Sequence, residues 1–155
     1  MIDFVKSLLT DFDPAKIFPD LNKLFGVMEL ILRIAVLAGP LCLLGFGLWY
    51  LLAPTKEANH SVGYRFYWGM SSVEVWQFTQ RLAGLVWTGL GLVMTIVMAL
   101  ICNGYRDLAP EAMLYSALKA IGWELGLIVL SILAINITVM VLFDHKGYRR
   151  RRTRR

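Results

Sequence analysis

The sequence predicts an all-α membrane protein with three transmembrane helices, an amino-terminal amphipathic interfacial segment and a basic carboxy-terminal tail. Composition and charge spacing carry that prediction. Of the 155 residues, 57% are hydrophobic and only 17% charged, whereas soluble domains run near about 25% charged. The charges also cluster, leaving windows 34–53, 82–105 and 125–143 with no charged side chain. Each window approaches or passes the ~20 apolar residues that cross a hydrocarbon core of about 30 Å. A helix buried in a soluble protein is rarely apolar on every side for so long. The chain therefore divides into an interfacial segment 1–26, a three-span membrane domain 27–143 and a cytoplasmic tail 144–155.

In the first segment, apolar residues such as Phe4, Val5, Leu8 and Leu9 fall three or four apart among charges such as Lys6 and Asp11, an amphipathic helical pattern. Asp13 is expected to cap the turn that Pro14 opens and Pro19 to break or restart the helix, giving two short helices on the bilayer surface or on the protein's own outer face. The apolar window that follows is too long for a signal-peptide core and lacks a small-x-small exit.

The first span covers about 27–53. Glu29 and Arg33 stand four apart at its entrance and pair along one face. Pro40, preceded by Gly39, is expected to kink the helix near its middle, a kink tolerated where neighbouring helices or water satisfy the freed carbonyl. Trp49 and Tyr50 mark the headgroup level, and Pro54 ends the helix. The loop 54–81 follows. Within it, Ser71-Ser72-Val73-Glu74 has capping-box spacing, with Ser71 as N-cap. Val75, Trp76, Phe78 and Thr79 then carry a helix without a break into the second span, 82–103. Gly84, Gly89 and Gly91 are the candidate packing seam, since small residues let helix backbones approach, and Asn103-Gly104 is the stop signal. Pro110 starts the third helix, whose span 112–143 lies in an element of roughly 50 Å that must tilt or protrude. Lys119 and Glu124 are expected near its first interface, and Asn136, deep in the apolar window, is expected to act as interhelical glue.

Orientation follows from the tail. Arg149, Arg150, Arg151 and Arg152, close to a span end, favour the cytoplasmic side. With three spans, the loop 54–81, carrying Lys56, Arg65 and Arg81, then faces the same way. The tail also suits anionic lipid or a docking protein. Nucleic acid is not expected, because no aromatic or folded element accompanies the charge run.

No enzyme is indicated: the sequence holds no phosphate loop, no Ser-His-Asp set and no paired histidines at metal spacing. His60 and His145 are the only histidines and read as solvated or capping groups, a proton switch being the sharper alternative. Cys42 and Cys102 sit inside apolar windows as fillers, so no metal, disulfide or cofactor is expected. Glu124 raises the question of function that any ionisable residue in a span raises. Against that stands an interfacial position beside Trp123.

The loop is the richest constellation. Asn59 is a turn former, Gly63 reaches backbone angles that other residues reach only with strain, and Arg65 is a fork-shaped donor. Trp76 and Arg81 fall on different faces of the helix after the cap. An aromatic belt of Tyr64, Phe66, Tyr67, Trp68 and Trp76, with Arg65 snorkelling, is the plainer reading.

Asn59-His-Ser-Val-Gly63-Tyr-Arg65, followed by Ser71, Glu74, Trp76, Arg81 and Gly84, resembles the signature of the SdpI family, the sporulation-delaying-toxin immunity proteins. The likeness covers residues 59–91, and Phe66-Tyr67 stands where that family often has Thr-Pro. The founding type also carries an additional upstream multi-span domain that is absent from this sequence. The resemblance implies a small bacterial cell-membrane protein conferring toxin immunity, signalling by sequestering a protein at the membrane, or both. It also implies that Asn59, Gly63, Arg65, Trp76, Arg81 and Gly84 bind the partner or toxin. The expected partners are the lipid bilayer and a peptide toxin, a soluble regulator, another membrane protein or a second copy of the chain. The alternatives are an accessory or scaffold subunit of a larger membrane complex, or a small transporter built around Glu124.

Overall fold

The computed structural model describes residues 21–56 and 63–150. Three helices dominate: α1 (Leu21–Leu52), α2 (Val73–Asn103) and α3 (Pro110–Leu142). Short 3-10 turns lie at Trp68–Met70 and Gly104–Asp107. Among the described residues, three helical stretches are long and apolar enough to cross a membrane: Lys23–Leu52, Val73–Asp107 and Pro110–Leu142. Only 17%, 22% and 17% of the most apolar window of each is buried inside the protein. The rest, including Leu52, Leu100, Trp123 and Leu130, points outward, which requires an apolar solvent. The protein is therefore a multi-pass, all-helical membrane protein.

The helix bounds follow local chemistry. Residues 21–26, assigned by sequence to the interfacial segment, form the first turns of α1, and the rest of that segment lies outside the described residues. Arg33 closes on Glu29 with Nη2 2.6 Å and Nε 2.9 Å from Oε1, as the four-residue spacing predicts. Pro40 lies inside α1 and is fully enclosed. Helix α2 runs unbroken from the loop into the span, but its cap is Ser72 rather than Ser71. The Ser72 Oγ accepts from the Val75 N–H at 3.3 Å, while the Ser71 hydroxyl donates to the Trp68 carbonyl at 2.7 Å. The preceding 3-10 turn draws Ser71 into its own hydrogen bonding, so the cap moves on by one residue. Pro110 opens α3 as expected.

Helices α1 and α2 pack far more extensively on each other than either does on α3. Their seam is antiparallel: Leu44 meets Gly91, Gly47 meets Thr88, and Leu51 meets Gly84. A Cβ on Gly91 would come 2.6 Å from the Leu44 backbone nitrogen, and one on Gly84 would come 2.9 Å from the Leu51 side chain. A Cβ on Gly47 would strike the Thr88 backbone. Of the glycines predicted for the seam, Gly84 and Gly91 belong to it. Gly89 has nothing within 4 Å, because it points away while Gly47 of α1 supplies the remaining close approach.

Near the α2–α3 turn, Val36, Met98, Cys102, Tyr105, Met113, Ala117 and Ala120 form a core. At the opposite end, Tyr64, Ala83 and Ile135 form one cluster and Val75, Val139 and Phe143 another. Cys102 is thus the filler the sequence suggested, whereas Cys42 is exposed on α1.

Gly91→Ala should destabilise the protein, lowering its thermal midpoint in detergent, because the new methyl cannot fit against the backbone of Leu44. Gly89→Ala should raise the midpoint or leave it unchanged, since alanine is favoured over glycine within a helix by about 0.8–1 kcal/mol.

Candidate functional site

The loop between α1 and α2 is folded into the end of the membrane domain. Its anchor is Gln80, a polar residue only 1% exposed on α2. The Gln80 Oε1 accepts from the Tyr64 N–H at 2.8 Å, and its Nε2 donates to the Tyr64 carbonyl at 2.9 Å. One side-chain amide thereby serves both polar groups of a buried backbone residue, as a neighbouring strand would. Each such group left unsatisfied costs about 1–3 kcal/mol.

The Tyr64 ring is buried and meets Trp87 edge to face, with centroids 5.3 Å apart. Its hydroxyl donates to Asn136 Oδ1 on α3 at 2.7 Å. Burial pushes the phenol up to about 12, the nearby Tyr50 hydroxyl adding to the effect, so it stays a donor. Asn136 does act as glue, between loop and helix. Trp87 donates to the Ser131 hydroxyl at 3.1 Å, extending the same link from α2 to α3.

Gly63 precedes this anchor with φ +124°, a left-handed angle. A Cβ there would also lie 2.7 Å from the Trp76 ring, so conformation and close approach both demand glycine. Trp76 is fully buried, and its indole N–H reaches the Thr55 carbonyl at 3.0 Å and hydroxyl at 3.1 Å. The indole ties the start of the loop to α2. Gly69 is buried against Thr79, and the Thr79 hydroxyl donates to the Val75 carbonyl.

The aromatic-belt reading fails for Tyr64 and Trp76. Their polar tips find protein partners, so the rings turn inward, while Tyr67 is 81% exposed. Gly63, Trp76 and Gly84 are all buried or packed parts of the fold, and Arg65 and Arg81 are exposed. Asn59 lies outside the described residues, as do Arg151 and Arg152.

Arg81 joins Lys56, Gln77, Thr55 and Pro54 around a cavity of about 420 Å³. Gln77 Nε2 donates to the Lys56 carbonyl at 3.2 Å, which holds the two walls together. Two cationic residues, Lys56 and Arg81, line the cavity, and none of its lining residues among the described ones is a carboxylate, so an anionic group suits this pair.

The chain end returns to the same place. After α3, Asp144–Gly147 turns tightly: Asp144 Oδ1 accepts from the N–H groups of Lys146 and Tyr148 at 3.0 and 2.8 Å. Phe143 and Arg149 form an antiparallel bridge. Gly147, with φ +82°, presses on Ser72, whose hydroxyl donates to the Gly147 carbonyl at 3.3 Å. Arg149 and Arg150 thus leave from a hairpin seated on the N-terminus of α2. Sequence reading missed this hairpin, Gln80 and Thr55. The Asp-x-x-Gly spacing was the available signal for the turn, and a glutamine one helical turn after a tryptophan, at the start of an apolar window, was the signal for the anchor.

The profile of the SdpI/YfhL protein family matches residues 55–142, more than half of the chain, from the first wall of the cavity to the end of α3. No curated protein and no solved structure matches the chain.

Raising the pH should weaken the protein between the ordinary phenol range near 10 and about 12. Over that window unfolded Tyr64 loses its proton and the folded residue keeps it, so the unfolded state gains. Tyr64→Phe should flatten this alkaline fall in thermal midpoint while lowering the midpoint at neutral pH. Gln80→Leu, which strands both backbone groups of Tyr64, should cost several-fold more protection of the Tyr64 amide in hydrogen exchange than Tyr64→Phe.

Proposed function

Since the chain belongs to the SdpI/YfhL protein family, we propose that it is a non-enzymatic bacterial immunity or signalling protein of the cell membrane. In this reading it holds a peptide toxin or a soluble regulator at the end of the bundle where loop and tail meet. The observation that carries the reading is the gathering, at one end, of the cavity rimmed by Lys56 and Arg81 and the basic chain end seated on Ser72. Both features are cationic, and they lie on a platform locked by buried hydrogen bonds, so little ordering cost falls on binding. An acidic segment or a terminal carboxylate is the complementary chemistry.

The clustered arginines support a cytoplasmic position for this end. A soluble regulator then meets the cavity directly, and a membrane-active peptide meets it from within the bilayer.

The family motif divides into two jobs in this proposal. Gly63, Trp76 and Gly84 build the platform, and Arg81, with Lys56 beside it, contacts the partner. Trp76→Ala is a folding variant, costing about 3–5 kcal/mol as large aromatic truncations do, and does not report on binding. Lys56→Glu combined with Arg81→Glu does. The double variant should insert and unfold like the parent, yet lose protection of expressing cells against a secreted membrane-active peptide toxin, or lose the protein captured by crosslinking. Parental protection and capture by the variant would exclude the cavity as the binding site.

A further inference from the structure

Sequence spacing suggested that Glu124 touches the membrane interface beside Lys119. The structure turns its carboxyl inward, away from the protein's outer surface. Helix α3 runs Pro110–Leu142, so Glu124 falls two residues from its midpoint, roughly 21 Å along the axis from its start and about 27 Å from its end. Trp123 beside it is 70% exposed to the outside, whereas Glu124 is 3% exposed and turned into the bundle. Its Oε1 is buried without a hydrogen-bond partner among the described residues. Its Oε2 lies against Gly39 on α1, where a Cβ would come within 2.8 Å of it. A larger residue at position 39 would occupy the carboxyl's place.

The charged and titratable groups around it do not neutralise it. On α1, Arg33 is engaged by Glu29. Cys102 on α2 and Tyr105 in the turn after it lie within electrostatic reach, but neither carries a positive charge. On α3 itself, the Lys119 ammonium sits over the Tyr115 ring, 5.4 Å from its centroid, and is exposed. An ionised carboxylate buried without a cation or donor is too unfavourable to persist, whereas a neutral acid carries its own donor. On α1, Pro40, next to Gly39, has no N–H to give the Val36 carbonyl one turn back.

We propose that Glu124 is a proton-binding site inside the bundle, where α3 meets Gly39 of α1, its ligand a single proton that the bundle holds at neutral pH. In the protonated form α3 closes on Gly39. Ionisation requires water or a cation to enter between α1 and α3. The site is separate from the cationic cavity at the end of the bundle, and its standing is independent of any partner bound there.

Infrared spectroscopy of the full-length protein in liposomes tests the assignment. At about pH 7, where exposed carboxyls are ionised, the wild type should show the C=O stretch of one protonated carboxyl. That band should be missing from Glu124→Gln and should fade in the wild type as the pH is raised. Glutamine is close in shape to the neutral acid, so Glu124→Gln should keep its helical circular dichroism and thermal midpoint. In a second arm, dicyclohexylcarbodiimide serves as the probe. The carboxyl proton moves to a carbodiimide nitrogen as the carboxylate oxygen adds to the central carbon, and rearrangement leaves a stable N-acylurea with nothing lost. Mass spectrometry should find one adduct on Glu124 in the wild type and none at that position in the variant. A folded Glu124→Gln protein whose carboxyl band matches the wild type would overturn the proposal, as would a wild type showing no such band.

Discussion

A loop lodged in the end of a membrane domain has to find partners for its backbone within the protein, and the Gln80 amide meets that demand for Tyr64. Much of the candidate site depends on this pairing. With Tyr64 fixed, its hydroxyl reaches Asn136 and its ring meets Trp87, joining loop, α2 and α3. The same fixing sets Gly63 against Trp76, and Trp76 in turn secures Thr55 and the first part of the loop. Water would satisfy these groups individually at a soluble surface. At the rim of a bilayer they satisfy one another, and the loop becomes part of the rigid domain.

That rigidity rests on how closely α1 and α2 approach. Gly47, Gly84 and Gly91 remove the side chains that would hold the two backbones apart. In lipid, where apolar side chains gain little by leaving their surroundings, such close packing supplies much of the helix association. The third helix is looser on both partners, and it adds Glu124 and Ser131, with Asn136 beyond, to the buried polar residues Thr79 and Gln80 of α2. Glu124 and Ser131, seven residues apart, share one side of α3, while Asn136, five residues further on, is turned about 140° from Ser131 toward the loop.

Several elements were readable before any fold was known, each for a local reason. The Glu29–Arg33 pair is a matter of helical spacing, and Pro110 starts a helix because its missing N–H is harmless there. The spans announce themselves because lipid forbids charge along their length. The motif that resembles the SdpI signature was likewise visible in order and spacing. Its division into platform and contact residues was not. Nothing local tells whether an aromatic ring near a headgroup layer faces lipid or turns inward to a hydrogen-bond partner, as Trp76 does with Thr55. The shift of the cap from Ser71 to Ser72 shows the same limit at one residue, since the competing 3-10 turn is a feature of the folded loop.

By itself the sequence determined the membrane as solvent, the number of spans and the segment worth studying. Hydropathy, charge spacing and turn residues act over one helical turn or one bilayer thickness, so they survive without a fold. Tertiary structure decided where Glu124 and Gln80 point, which glycines meet a neighbour, and that the basic chain end returns to Ser72. Those outcomes depend on residues far apart in the chain competing for the same buried space and the same hydrogen bonds, a competition that is resolved only when the helices are brought together.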